Sequence, residues 1–89
     1  MRKIAIVILN WNGKEDTLEC LKSLEKLKTG KKYQLQTFVV DNASVDGTVE
    51  AIKERYENIN VIKNRENLGF AEGNNVGIRK ALRNESDYI

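Results

Sequence analysis

Three short apolar runs, each closing on polar residues and separated by stretches of helical period, restrict this chain to very few architectures. Residues 4–9 (IAIVIL) are continuous and rich in β-branched side chains, as in a strand buried on both faces of a parallel sheet. Residues 35–40 repeat that character and terminate at Asp41-Asn42, and a shorter run at 59–62 gives way to Asn64-Arg65-Glu66-Asn67. Between the first two runs, Cys20, Leu21, Leu24 and Leu27 form the apolar stripe of a helix that ends near Thr29-Gly30. Val45, Val49, Ile52 and Tyr56 mark the buried face of a second helix, with Ser44 placed to cap it and Asp46 in its first turn. A third helix is expected from about Gly69 to Arg83, and Tyr88-Ile89 reads as a fourth strand beginning. The fold class is therefore α/β, a parallel sheet wound with helices in the order β-α-β-α-β-α-β, joined by right-handed crossovers.

Composition removes several functions. Eighty-nine residues suit a single small domain, and 40% hydrophobic with 31% charged residues is the balance of a folded globular chain. Fifteen basic against thirteen acidic side chains give a formal charge of +2, without the clustered positive field of a nucleic-acid binder. Cys20 is the only cysteine and histidine is absent. A disulfide framework, a zinc site of spaced cysteines and nucleophilic catalysis with a histidine base are thereby excluded. A reducing, cytoplasmic location fits, and the first apolar run is too short for a signal peptide or a membrane span.

In an open parallel sheet, ligands bind outside the carboxyl ends of the strands. All three segments that follow the apolar runs are polar: Asn10 and Asn12; Asp41, Asn42 and Ser44; Asn64, Arg65 and Asn67. Asparagines and an aspartate on one sheet edge suit hydrogen bonding to a base and ribose better than proton transfer. The same residue types also dominate turns for conformational reasons, so Asn12 is open to capping the first helix and Ser44 the second. Trp11 either packs against the domain, the commoner use of such a ring, or stacks on a base.

Gly69, Gly73 and Gly77 recur every four residues with Ala81 continuing the series. Glycine inside a helix costs about 1 kcal/mol relative to alanine, so Gly73 and Gly77 imply a close neighbour, whereas Gly69 offers bare backbone at the helix start. Asn75 shares a stripe with Ala71, Ile78 and Leu82, which points its amide inward to tie the helix to the loop after the first strand or to reach a ligand.

The segments IVILNWNGKEDTLECLKSL, FVVDNASVDGTVEAI and NRENLGFAEGNNVGIRKAL, in that order and spacing, resemble the opening of inverting family-2 glycosyltransferases, closest to the rhamnosyltransferase-like branch. The resemblance spans essentially the whole chain. It implies a Rossmann-like fold of the GT-A type, of which residues 1–89 form a partial domain, and a UDP- or dTDP-sugar as donor. Asp41 and Asn42 would contact the pyrimidine and its ribose, with Asn10, Trp11 and Asn12 lining the same pocket. Ser44, Asn67, Gly69 and Asn75 complete the expected nucleotide-binding set. Many relatives carry a second acid where this chain has Asn42. The resemblance also implies Mg2+ or Mn2+ on an acidic motif, a general base, and a membrane-peripheral full-length form. Motif and base are expected beyond Ile89, leaving these residues without catalytic or metal roles and the chain catalytically silent. The alternative is a non-catalytic nucleotide-binding or protein-interaction module. Because the fourth strand is expected beside the first, an unpaired sheet edge and self-association through it are expected too.

Overall fold

The computed structural model describes residues 2–27, 33–84 and 86–89. Its elements follow in the order β1 (Arg2–Asn10), α1 (Lys14–Glu25), β2 (Tyr33–Asp41), α2 (Thr48–Arg55), β3 (Asn60–Lys63) and α3 (Gly69–Arg83). The expected end of the first helix near Thr29-Gly30 lies outside the described residues. The three strands form a parallel sheet in the order β1-β2-β3. Tyr88 bridges Ile4 in parallel on the other side of β1, where the Ala5 N–H donates to the Tyr88 carbonyl at 2.7 Å. This is a Rossmann-like arrangement, and the segment after α3 lies beside β1 as expected.

Successive strand residues point to opposite faces, and the two faces are covered differently. On one, α1 and α2 set Leu21 and Ile52 against Val39, with Ile8, Leu18, Leu24 and Val61 packed around them. Each fully buried aliphatic side chain of this kind contributes about 1.5–3 kcal/mol. On the other face α3 lies on β1 and β2 almost without side chains of its own. A Cβ on Gly77 would fall 2.5 Å from Val7 Cγ1 and 2.8 Å from Val40 Cγ2, and Ala81 is buried with Ala5 and Phe38. The glycines expected to mark a close neighbour do so, and the neighbour is the sheet.

Four expectations change here. Cys20 and Leu27 are exposed; the inner face of α1 is Thr17, Leu21 and, in part, Leu18 and Leu24. Val45 is 89% exposed and precedes α2, because the turn through Asp46 and Gly47 delays the helix to Thr48. Ser44 does not cap α2: the N-cap position is Gly47, without a side-chain bond, and the Thr48 N–H donates to Asp46 Oδ1 at 3.1 Å. Asn12 does not cap α1 either; the Lys14 N–H donates to Asp46 Oδ2 at 3.0 Å.

Candidate functional site

The carboxyl edge of the sheet is held by buried amides rather than by apolar packing. Asn10 closes β1 and is only 2% exposed. Its Nδ2 donates to Asp41 Oδ1 at 2.8 Å and to Ser44 Oγ at 3.0 Å, while its Oδ1 accepts from Thr17 Oγ1 at 2.7 Å. Asp41, with no exposed surface, uses its other oxygen to accept from the Ser44 N–H at 2.9 Å. Burying such groups is costly unless they are bonded, and here both amide N–H groups and the carbonyl of Asn10 are satisfied. One side chain thus joins β1, β2, α1 and the loop after β2.

Asn42 does the same on the opposite face. Its backbone N–H donates to the Asn10 carbonyl at 2.8 Å, its Nδ2 to the Gly69 carbonyl at 3.1 Å, and its Oδ1 accepts from Asn64 Nδ2 at 2.8 Å. Gly73 leaves room for this amide, since a Cβ there would lie 2.9 Å from Asn42 Nδ2 and 2.6 Å from Leu9 Cδ1. Asp41 and Asn42, adjacent in sequence, therefore diverge: Asp41 fixes the α1 side and Asn42 the α3 side.

Nearer the surface, Asn12 adopts a left-handed φ of 49°, a conformation asparagine tolerates better than most residues. Its N–H donates to Ser44 Oγ at 2.8 Å and its Oδ1 accepts from the Val45 N–H at 2.8 Å. Ala43 is also left-handed at 62°. Such strain, of order 1–2 kcal/mol, here turns the chain so that Ser44 reaches back to Asn10 and Asn12. Asp46 bonds the first N–H of both α1 and α2, and the Thr48 hydroxyl donated to it holds its carboxyl below the usual range, assisted by the Lys14 and Thr48 backbone N–H groups. An open cleft of about 420 Å³ lies here, lined by Asn12, Gly13, Lys14, Glu15, Asp16 and Asp46. Another, of about 450 Å³, runs between α1 and α2 past Lys22, Arg55 and Tyr56 and touches none of the residues expected at the site.

Of those residues, the structure gathers Asn10, Asn12, Asp41, Asn42, Ser44 and Gly69 into one hydrogen-bonded edge. Asn67 joins by accepting the Gly69 N–H on Oδ1 at 2.8 Å. Gly69 itself has φ 82° with open space where a Cβ would stand, so backbone conformation is what calls for glycine. Asn75 is exposed rather than inward, because the glycine stripe, not its own, faces the sheet. Trp11 is 59% exposed rather than packed on the domain. Thr17 was not among the expected site residues, because a hydroxyl on the inner face of a helix is a weak signal for pairing with a buried asparagine.

The divalent ion implied by the resemblance finds no fitting ligand set in the described residues. Asp41 is buried and bonded, Asp46 bridges two helices, and Asp87 accepts the Lys3 N–H at 2.7 Å. No three carboxylate or cysteine side chains among the described residues gather closely enough to hold a metal.

A parallel sheet with helices on both faces and a polar carboxyl edge defines a Rossmann-like α/β domain, the class in which ligands bind at that edge. The family model for glycosyl transferase family 2 matches residues 5–89, and the chain belongs to that family. No curated protein and no solved structure matches it. Among the described residues, no helix is long and apolar enough to cross a membrane.

Proposed function

We propose that these residues form the donor-nucleotide side of an inverting glycosyltransferase that moves a sugar from a UDP- or dTDP-sugar to a glycan or glycolipid acceptor. The observation that carries this reading is the pinned carboxyl edge. Asn10, Asp41 and Asn42 lock the loops after β1, β2 and β3 and the start of α3 into one frame, the pre-organisation that recognition of a small polar ligand rewards. Asn12, Ser44 and Gly69 are bonded to that frame, and Trp11, which follows Asn10, is exposed.

Chemistry belongs elsewhere in this reading. Asp41 is buried with both oxygens engaged, which suits a structural acceptor and not a base that must touch its substrate. The described residues bind, and Mg2+ or Mn2+ and the general base come from other parts of the active enzyme. The rhamnosyltransferase-like branch, a role in cell-envelope polysaccharide, a cytoplasmic and membrane-peripheral setting and pairing of copies along the β1 edge are further parts of the proposal. The last draws on β1 meeting only the Tyr88 segment on that side among the described residues; a sedimentation profile that stays monomeric at high concentration would remove it.

Calorimetric titration with UDP, dTDP and ADP tests the donor assignment. Binding of both pyrimidine nucleotides in preference to ADP supports it. A folded protein that binds none of them, or prefers ADP, favours the interaction-module alternative.

A further inference from the structure

The formal charge of +2, unclustered along the sequence, is divided unevenly by the fold. In a parallel sheet each connecting helix starts at the carboxyl edge and returns the chain to the amino edge. Here β1 and β2 begin side by side, with Arg2 opposite Tyr33. The end of α1 reaches that level, since Leu24 and Leu27 share a groove of about 210 Å³ with Leu35 of β2. The end of α3 reaches it too: the Ser86 N–H donates to the Ala81 carbonyl at 3.3 Å and the Asp87 N–H to the Lys3 carbonyl at 2.8 Å. The Arg2 guanidinium then donates to the Tyr88 hydroxyl and lies 5.6 Å from the centre of its ring.

Arg2, Lys26, Lys80 and Arg83 are exposed at this amino edge, with Lys3 half-buried beside them, against the carboxylates of Glu25 and Asp87. Among the described residues none of the five cations is in an ion pair. The carboxyl edge is biased the other way, with Glu15, Asp16 and Glu72 in the first turns of α1 and α3 and Asp46 between α1 and α2. A strand the length of β1 separates the two edges by about 25–30 Å, roughly three Debye lengths at physiological salt, so each edge acts with its own sign. Cations in the last turn of a helix complement its dipole, which accounts for Lys80 and Arg83. It does not account for Arg2, at the start of a strand, or for the apolar side chains in the same place: Leu27, Leu82 and Tyr88 are 57%, 59% and 48% exposed.

We propose that this amino edge docks the domain on an anionic lipid bilayer, with the lysines and arginines among the headgroups and Leu27, Leu82 and Tyr88 at the boundary with the acyl chains. The proposal rests on the membrane-peripheral part of the function above and gives it a surface; it does not depend on the donor. Exposed leucines interspersed with long cationic side chains suit a phase that takes the apolar groups out of water and leaves the charges among phosphates. A nucleic acid would find no planar face to stack on in the leucines. Each cation brought close to an anionic membrane strengthens binding roughly fivefold.

Sedimentation of the full chain with lipid vesicles tests the proposal. Binding to phosphatidylcholine vesicles that carry phosphatidylglycerol is expected, with release at high salt and no binding to phosphatidylcholine alone. Trp11 is the single tryptophan and follows the last residue of β1 at the opposite edge, so its emission should not shift to the blue on binding. Lys80→Glu with Arg83→Glu should weaken binding at least tenfold. Lys63→Glu with Arg65→Glu, the same change of charge at the carboxyl edge, should alter it by no more than about twofold. Binding that shifts Trp11 emission to the blue, or an equal loss in the two double variants, keeps the peripheral setting and overturns this face. No binding to vesicles, or binding only to a soluble polyanion such as poly(U), removes both and leaves the donor reading intact.

Discussion

The two layers covering the sheet are built on opposite plans. Under α1 and α2 the contact is side chain to side chain, with Leu21 and Ile52 meeting Val39. Under α3 it is backbone to side chain, with Gly77 against Val7 and Val40, and Gly73 against Leu9 and Asn42. An aliphatic layer gains stability with area and relaxes partly around a change in volume. A glycine-lined contact contributes less area but fixes the helix at one height, so that the Gly69 carbonyl meets Asn42 at the carboxyl edge. Stability resides mainly in the first layer and placement in the second.

The largest effect is expected where area is lost. Ile52→Ala should destabilise the domain by about 2–5 kcal/mol, read from the midpoint of urea unfolding; a loss below about 1 kcal/mol would break the assignment of stability to that layer. Gly77→Ala follows. Helix propensity alone would stabilise it by about 1 kcal/mol, but a Cβ 2.5 Å from Val7 Cγ1 should reverse the sign and cost about 1–3 kcal/mol. Val7→Ala should restore part of that loss in a double-mutant cycle, and simple additivity would count against direct contact.

The smallest effect concerns the joint between α1 and α2. The Thr48 hydroxyl and the Lys14 and Thr48 N–H groups lower the pKa of Asp46 in the folded state. A depressed carboxylate contributes stability that is present in full above its unfolded pKa and is lost as pH falls through its folded value. Stability should therefore decline on the acid side of the ordinary aspartate range, and Asp46→Asn should flatten part of that decline. An unchanged acid limb would show that this half-buried carboxylate is too well screened to matter.

Much of the fold was legible because β1 and β2 carry continuous β-branched runs and the helices have clear periods. The errors fall where a long-range contact overrides local pattern. Thr17, not Cys20, faces inward because its hydroxyl meets Asn10, a pairing invisible to periodicity. Two stripes of α3 were equally eligible for burial. The glycine stripe prevails because it allows close approach to Val7 and Val40, which leaves Asn75 outside. At the site, the polar residues after each strand were identifiable as a group. Whether they faced a ligand or one another was not, since an asparagine that completes a buried network and one that reads a base have the same signature in sequence.

Amide chemical-shift mapping on addition of UDP would locate the nucleotide. Binding at the pinned carboxyl edge should confine the shifts to residues 10–14, 41–46 and 64–70, with the amino-terminal halves of β1 and β2 unaffected. Shifts centred instead on the cleft between α1 and α2, at Leu18, Lys22, Arg55 and Tyr56, would contradict it.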